Sequence, residues 1–247
     1  MRWRILLCAA VLLAAVPARA SHDDGRYDQP SFGVPWDTAR LQILIVPPTH
    51  GQLLNANGAL AGMQTSELDP LRNSYLAAIE DSIDTWRDAI RAYAPTWLRR
   101  NVRLDDYVVG RDEIPDSAQR DPEIVINTTL HQGTSLGLTV QGPLAGVRCT
   151  ISNARMFIES FTYADMFSVN AHEVGHCLGL DHIGGDHPRH DVMASIYPHE
   201  PGSAGTHLHC PSNLNVRGIK RSFAALFGKP ARDSVSIPAD RYTRLRC

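Results

Sequence analysis

The chain has 247 residues, 43% of them hydrophobic and 20% charged, with a formal net charge of -2. That length is enough for one sizeable core, and a composition this balanced excludes a disordered chain. Without an excess of positive charge there is no electrostatic footprint for nucleic acid, so none is expected as a partner.

At the N-terminus, Arg2 and Arg4 precede an apolar run from Ile5 to Val16, and Ala18-Arg19-Ala20 supplies the small residues a signal peptidase requires. The run is too short to span a bilayer and no later one is longer. We therefore expect a signal peptide over residues 1–20 and a secreted mature chain, extracellular or periplasmic, with no membrane partner. Removing Arg2, Arg4 and Arg19 takes the formal charge from -2 to -5. Cys8 leaves with the signal. The remaining Cys149, Cys177, Cys210 and Cys247 suit two disulfides in an oxidising compartment. Four cysteines allow three pairings, and our preference falls on Cys177 with Cys210 and Cys149 with Cys247.

Along the mature chain, residues 21–40 are polar and rich in Asp, Gly and Pro, which predicts a flexible arm or short pro-segment. Leu41 to Val46 reads as a buried strand stopped by Pro47-Pro48, and Asn55 to Gly62 as a loop. From Pro70 to Ala94, Leu71, Tyr75, Ile79, Ile83, Trp86, Ile90 and Tyr93 recur at steps of three and four, predicting one long amphipathic helix closed by Pro95. Strands are expected at Val102 to Val109, Ile124 to Thr128, Gly146 to Ser152 and Met156 to Ser160. The last leads through Phe167-Ser168-Val169 into a histidine-rich stretch. Ser212 is a good N-cap for a helix that carries Val216, Ile219, Phe223, Leu226 and Phe227 and closes at Gly228 and Pro230. No internal repeat or heptad run is present, so a monomer is expected.

The stretch H-E-V-G-H-C-L-G-L-D-H, residues 172–182, carries the chemistry. His172 and His176 stand at i and i+4 on one helix face, so both imidazoles can reach one ion. Glu173 lies beside that ion without having to bind it, where a general base for activated water must sit. Gly179 can end the helix in a left-handed turn that returns His182 as a third ligand. Three nitrogen ligands leave one position open, the mark of catalytic rather than structural zinc. Residue frequencies put a chance match on the order of 10⁻⁴ or lower, against incidental histidines on a helix.

These residues resemble the signature of the metzincin zinc peptidases, H-E-x-x-H-x-x-G-x-x-H, at every fixed position. The resemblance implies an α+β zincin fold. It would have a twisted mixed β-sheet, a long helix and an active-site helix, then a small C-terminal subdomain ending in a helix. It further implies one Zn²⁺ held by His172, His176 and His182, catalysis by Glu173, and a supporting methionine turn at Asp191-Val192-Met193-Ala194-Ser195 with Met193 beneath the histidines. Ala194, Ser195, Ile196 and Tyr197 would line the substrate pocket. The family's substrate-binding edge would fall on Gly146 to Ser152. The closing helix resembles that of the matrixin branch. Two departures stand out: Ile183, after the third histidine, matches no branch, and residues 21–40 lack the cysteine by which matrixin pro-segments block zinc.

The expected organisation is thus a catalytic domain over 41–228, divided near residue 180, with a tail over 229–247. The expected activity is secreted zinc-dependent cleavage of peptide or protein substrates. The alternative is a secreted zinc-containing binding module without peptidase activity. His187, His190, His199, His207 and His209 fit no regular helix face and read as solvated loop residues rather than a second metal site.

Overall fold

The computed structural model describes residues 26–31, 36–56, 60–127, 138–141, 149–152, 162–183, 191–194, 208–228 and 234–247. The expected signal segment, the strand expected at 156–160 and the expected pocket residues Ser195, Ile196 and Tyr197 lie outside them. In chain order the elements are β1 (Arg26–Pro30), β2 (Arg40–Val46), α1 (His50–Ala56), α2 (Thr65–Tyr93), α3 (Thr96–Asn101), β3 (Arg103–Val108), α4 (Asp116–Arg120), β4 (Ile124–Asn127), β5 (Leu138–Gln141), β6 (Cys149–Ser152), α5 (Tyr163–Cys177), α6 (Asn213–Ser222) and β7 (Ser234–Pro238).

Five strands form the main sheet in the order β3-β2-β4-β6-β5, parallel throughout except for antiparallel β5. On β2, paired on both sides, Leu41, Ile43 and Ile45 are fully buried while Gln42 and Leu44 are only partly so. One face of the sheet therefore carries the core. Against the sheet lies α2, whose buried stripe includes Tyr75, Ile79, Ile83, Trp86 and Ile90 at the expected helical period. It begins five residues before Pro70, because the Glu67 carboxylate accepts the Gln64 backbone N–H at 2.6 Å and closes the N-terminus. Pro70 then falls inside the helix. The other end behaves as read, with Ala94 extended before Pro95.

Helix α5 packs along α2. The fully buried Trp86 indole N–H donates to the carbonyl of Ala171 at 2.8 Å, tying the C-terminal part of α2 to the middle of α5. The result is a mixed α+β fold with a largely parallel sheet and a long helix, as the resemblance implies.

Four expectations need correction. The strand Gly146 to Ser152 is not the edge: β6 is paired on both sides, and the outer position belongs to β5, which the sequence reading missed between glycine-rich connections. Residues 21–40 are not simply a flexible arm, since β1 pairs antiparallel with β7 over Arg26–Pro30 and Ser234–Pro238. The expected C-terminal tail supplies that partner. The loop expected from Asn55 is preceded by α1, which runs to Ala56.

The disulfides, finally, are Cys149–Cys177 and Cys210–Cys247. Packing decides the pairing. The end of α5 lies over the start of β6, 5.7 Å apart at Cα, so Cys177 faces the sheet. The C-terminal residues fold back beside the segment before α6, where Leu245 N–H donates to the Pro211 carbonyl at 2.9 Å and Cys247 reaches Cys210.

Candidate metal centre

The histidine helix is started by local chemistry. Thr162 Oγ1 accepts the Asp165 backbone N–H, and the Asp165 carboxylate accepts the Thr162 N–H at 2.9 Å, a reciprocal cap. Phe167-Ser168-Val169 is consequently helical rather than a lead-in from a strand. The helix is buried over most of its surface, and Glu173 is only 7% exposed. At its other end Gly179 adopts φ 88°, a left-handed conformation that glycine reaches without strain. Gly179 and Leu180 N–H groups then bond back to the carbonyls of His176 and Gly175 at 2.9 and 3.1 Å. The chain leaves at a sharp angle and returns His182 to the helix face.

His172, His176 and His182 converge so that one potential ligand atom of each lies within 4.8 Å of the others. The Nε2 of His182 stands 3.1 Å from that of His172 and 3.2 Å from that of His176. Two imidazoles 2.0–2.1 Å from a tetrahedral zinc would have nitrogens roughly 3.3 Å apart. The donor set fits as well as the spacing. His172 Nδ1 lies 2.7 Å from the Val192 carbonyl and His176 Nδ1 lies 2.8 Å from the Leu180 carbonyl. A carbonyl only accepts, so each Nδ1 carries the proton and each Nε2 turns a bare lone pair toward the cluster. Together, the separations and tautomers suit a small dication.

Electrostatics favours the neutral ligands. Burial pushes the His172 imidazole down to about 3, helped by His176 and His182 and opposed by the Val192 carbonyl. His182 is lowered by burial and by His176, with Asp181 pulling the other way. Both rings therefore stay neutral near neutral pH.

A tight turn from Asp191 to Ala194 lies beneath. Ala194 N–H donates to the Asp191 carbonyl, and Ile183 N–H donates to the Met193 carbonyl at 2.8 Å, joining this turn to the residue after His182. Met193 is fully buried, and its sulfur is 2.3 Å from where a Cβ on Gly175 would be. Gly175 occupies an unspecified place in the histidine pattern, so nothing in the sequence singles it out. Here only a hydrogen admits the methionine under the histidines. Ala194 borders the site and is buried. His209, read as a solvated loop residue, is buried, with its N–H donating to Ser168 Oγ at 3.1 Å. His187, His190, His199 and His207 lie outside the described residues.

The sequence model of the matrixin family matches residues 79–217, more than half of the chain, from mid-α2 into α6. The chain is a matrixin. As a matrixin it is of the zinc metallopeptidase kind, which accords with a histidine cluster built for a divalent ion. No curated protein matches it. No described helix of this matrixin is long and apolar enough to cross a membrane.

Proposed function

We propose that the chain is a secreted zinc endopeptidase in which His172, His176 and His182 hold one zinc ion and Glu173 is the general base. The observation that carries this reading is the convergence of three Nε2 atoms, two of which present lone pairs because their Nδ1–H groups donate to carbonyls. Zinc bound there supplies a Lewis acid that acidifies water toward neutral pH and draws charge from a peptide carbonyl. Glu173, one residue round the helix from His172, takes the proton from the attacking water and delivers it to the departing amine. Its burial strengthens that exchange by keeping bulk water from competing for the carboxylate.

Substrate binding follows from the sheet. Among the described residues β5 is paired only with β6, so its free edge can take an extended peptide by main-chain hydrogen bonds. The pocket for the side chain beyond the cut bond is assigned to Ala194, at the end of the turn bearing Met193, and to Ser195, Ile196 and Tyr197 after it, as the family resemblance implies. Two disulfides and the N-terminal signal pattern support an extracellular or periplasmic site of action.

The test is hydrolysis of a mixed quenched-peptide library by the mature chain, with zinc content measured on the same sample. Glu173→Ala should retain zinc and lose activity by on the order of 10²–10⁴-fold. Undiminished cleavage by that variant would remove Glu173 from its role. Stoichiometric zinc without cleavage by the unaltered chain would turn the reading toward the binding module.

A further inference from the structure

The turn beneath the histidines is held by residues from both ends of the chain. Asp191 is fully buried. Its Oδ1 accepts the Met193 N–H at 2.9 Å and the Asn215 side-chain amide at 3.1 Å, and its Oδ2 accepts the Tyr242 hydroxyl at 2.8 Å. The same Asn215 amide nitrogen donates to Gln29 Oε1 at 2.8 Å. Gln29 in turn donates to the Asp181 carbonyl at 2.6 Å, while Asp181 N–H donates to the Pro30 carbonyl at 3.1 Å. The residue before His182 is thus gripped through both of its backbone polar groups by β1.

Gln29 and Asn215 are also fully buried. Gly218 makes room for Gln29 and Leu180 against α6, since a Cβ there would stand 2.6 Å from Leu180 and 2.8 Å from Gln29. The Tyr27 ring, on β1, meets Tyr242 edge-on at 5.4 Å, and pairing with β7 holds β1 in place.

Gln29 and Tyr242 both lie outside the span that matches the family model. Resting on the zinc reading of the site, we propose that the β1–β7 sheet, Gln29 and Tyr242 form a clasp that positions the metal ligands. Gln29 fixes the approach of His182. Tyr242 orients Asp191, which shapes the turn that presents the Val192 carbonyl to His172 and seats Met193 below. These are positioning residues, since they act through the three candidate ligands His172, His176 and His182 and are not among them. A clasp assembled only when both chain ends are folded makes metal affinity a property of the whole chain rather than of the histidine pattern.

The experiment uses the mature full-length chain with Tyr242→Phe, which keeps the ring against Tyr27 and removes only the hydroxyl. A second variant, Gln29→Met, keeps the side-chain length and removes the amide. Zinc affinity is measured by chelator competition, the visible spectrum is recorded on the cobalt(II)-loaded protein, and melting is followed on the metal-free form. Each variant should bind zinc roughly 10-fold or more weakly, the range for loss of a group that orients ligands, and shift the cobalt bands. Should Tyr242→Phe not fold, Gln29→Met carries the same expectation. Zinc affinity within twofold of the unaltered chain and an unchanged cobalt spectrum, with only the melting temperature lowered, would overturn the clasp as a positioning device. An unaltered chain that takes up neither metal would overturn the zinc reading itself, and the clasp's role with it.

Discussion

His172 and His176 on the one hand, and His182 with the turn around Met193 on the other, are held by different physics. The first pair is fixed by helical geometry, and α5 has only to dock for both rings to face the same way. It docks through the Trp86–Ala171 hydrogen bond and the Cys149–Cys177 disulfide. The loop half has no periodic scaffold. It depends on buried and part-buried hydrogen bonds among Gln29, Asp181, Asp191, Asn215 and Tyr242, residues spread over nearly the whole chain. A helix can preset two ligands cheaply, whereas a third ligand from outside the helix needs tertiary contacts to hold it at the right distance.

The comparison can be broken most forcefully from the helix side. Trp86→Ala removes a fully buried indole and the tie to Ala171, and should cost about 3–5 kcal/mol in urea unfolding. A cost under about 1 kcal/mol would mean that α5 does not rely on α2 for its place. Next in size are the disulfides. Cys149→Ser with Cys177→Ser should lose about 2–4 kcal/mol, as should Cys210→Ser with Cys247→Ser, because the loops they close, 28 and 37 residues apart in sequence, have similar closure entropies. The difference to look for is in zinc affinity, which only the second pair, beside the clasp, should lower.

Gly175→Ala probes the contact between the two halves. A Cβ there collides with the Met193 sulfur, so overpacking should cost about 1–3 kcal/mol, and the loss should shrink when Met193→Ala is made in the same chain. Additive losses would show that the methionine moves aside freely.

The gentlest effect is on pH. Because His172 is depressed to about 3 in the folded chain, the folded state resists a proton that the unfolded chain accepts near 6.5. Stability of the metal-free protein from this group is complete above about 6.5 and declines as pH falls toward 3. Denaturant midpoints across that range check it, and in His172→Ala the decline should be shallower.

Much of this was legible in the sequence. The spacing from His172 to His182 named the three converging rings, Gly179 supplied the left-handed turn, and Leu41–Val46 and Tyr75–Ile90 marked an interior strand and the long helix. Each is a signal in which neighbouring residues report on a shared face. Gly175, Gln29, Asn215 and Tyr242 were not legible, since nothing in their neighbours marks them. Strand β5 escaped for a related reason: an edge strand of four residues has too few positions to display a pattern.

What the sequence by itself determined is therefore the local chemistry: which side chains could share a metal, where helices stop, and which stretches must be buried. Periods of two and 3.6 residues act over a few turns and need no partner to be read. Only the tertiary structure decided which cysteines meet, which strand lies at the edge, and how the two chain ends reach the loop of His182. Those depend on contacts between residues as far apart in sequence as Arg26 and Pro238, partners in the β1–β7 ladder. Such contacts form because the folded surfaces fit, a fact about shape that no short window of sequence contains.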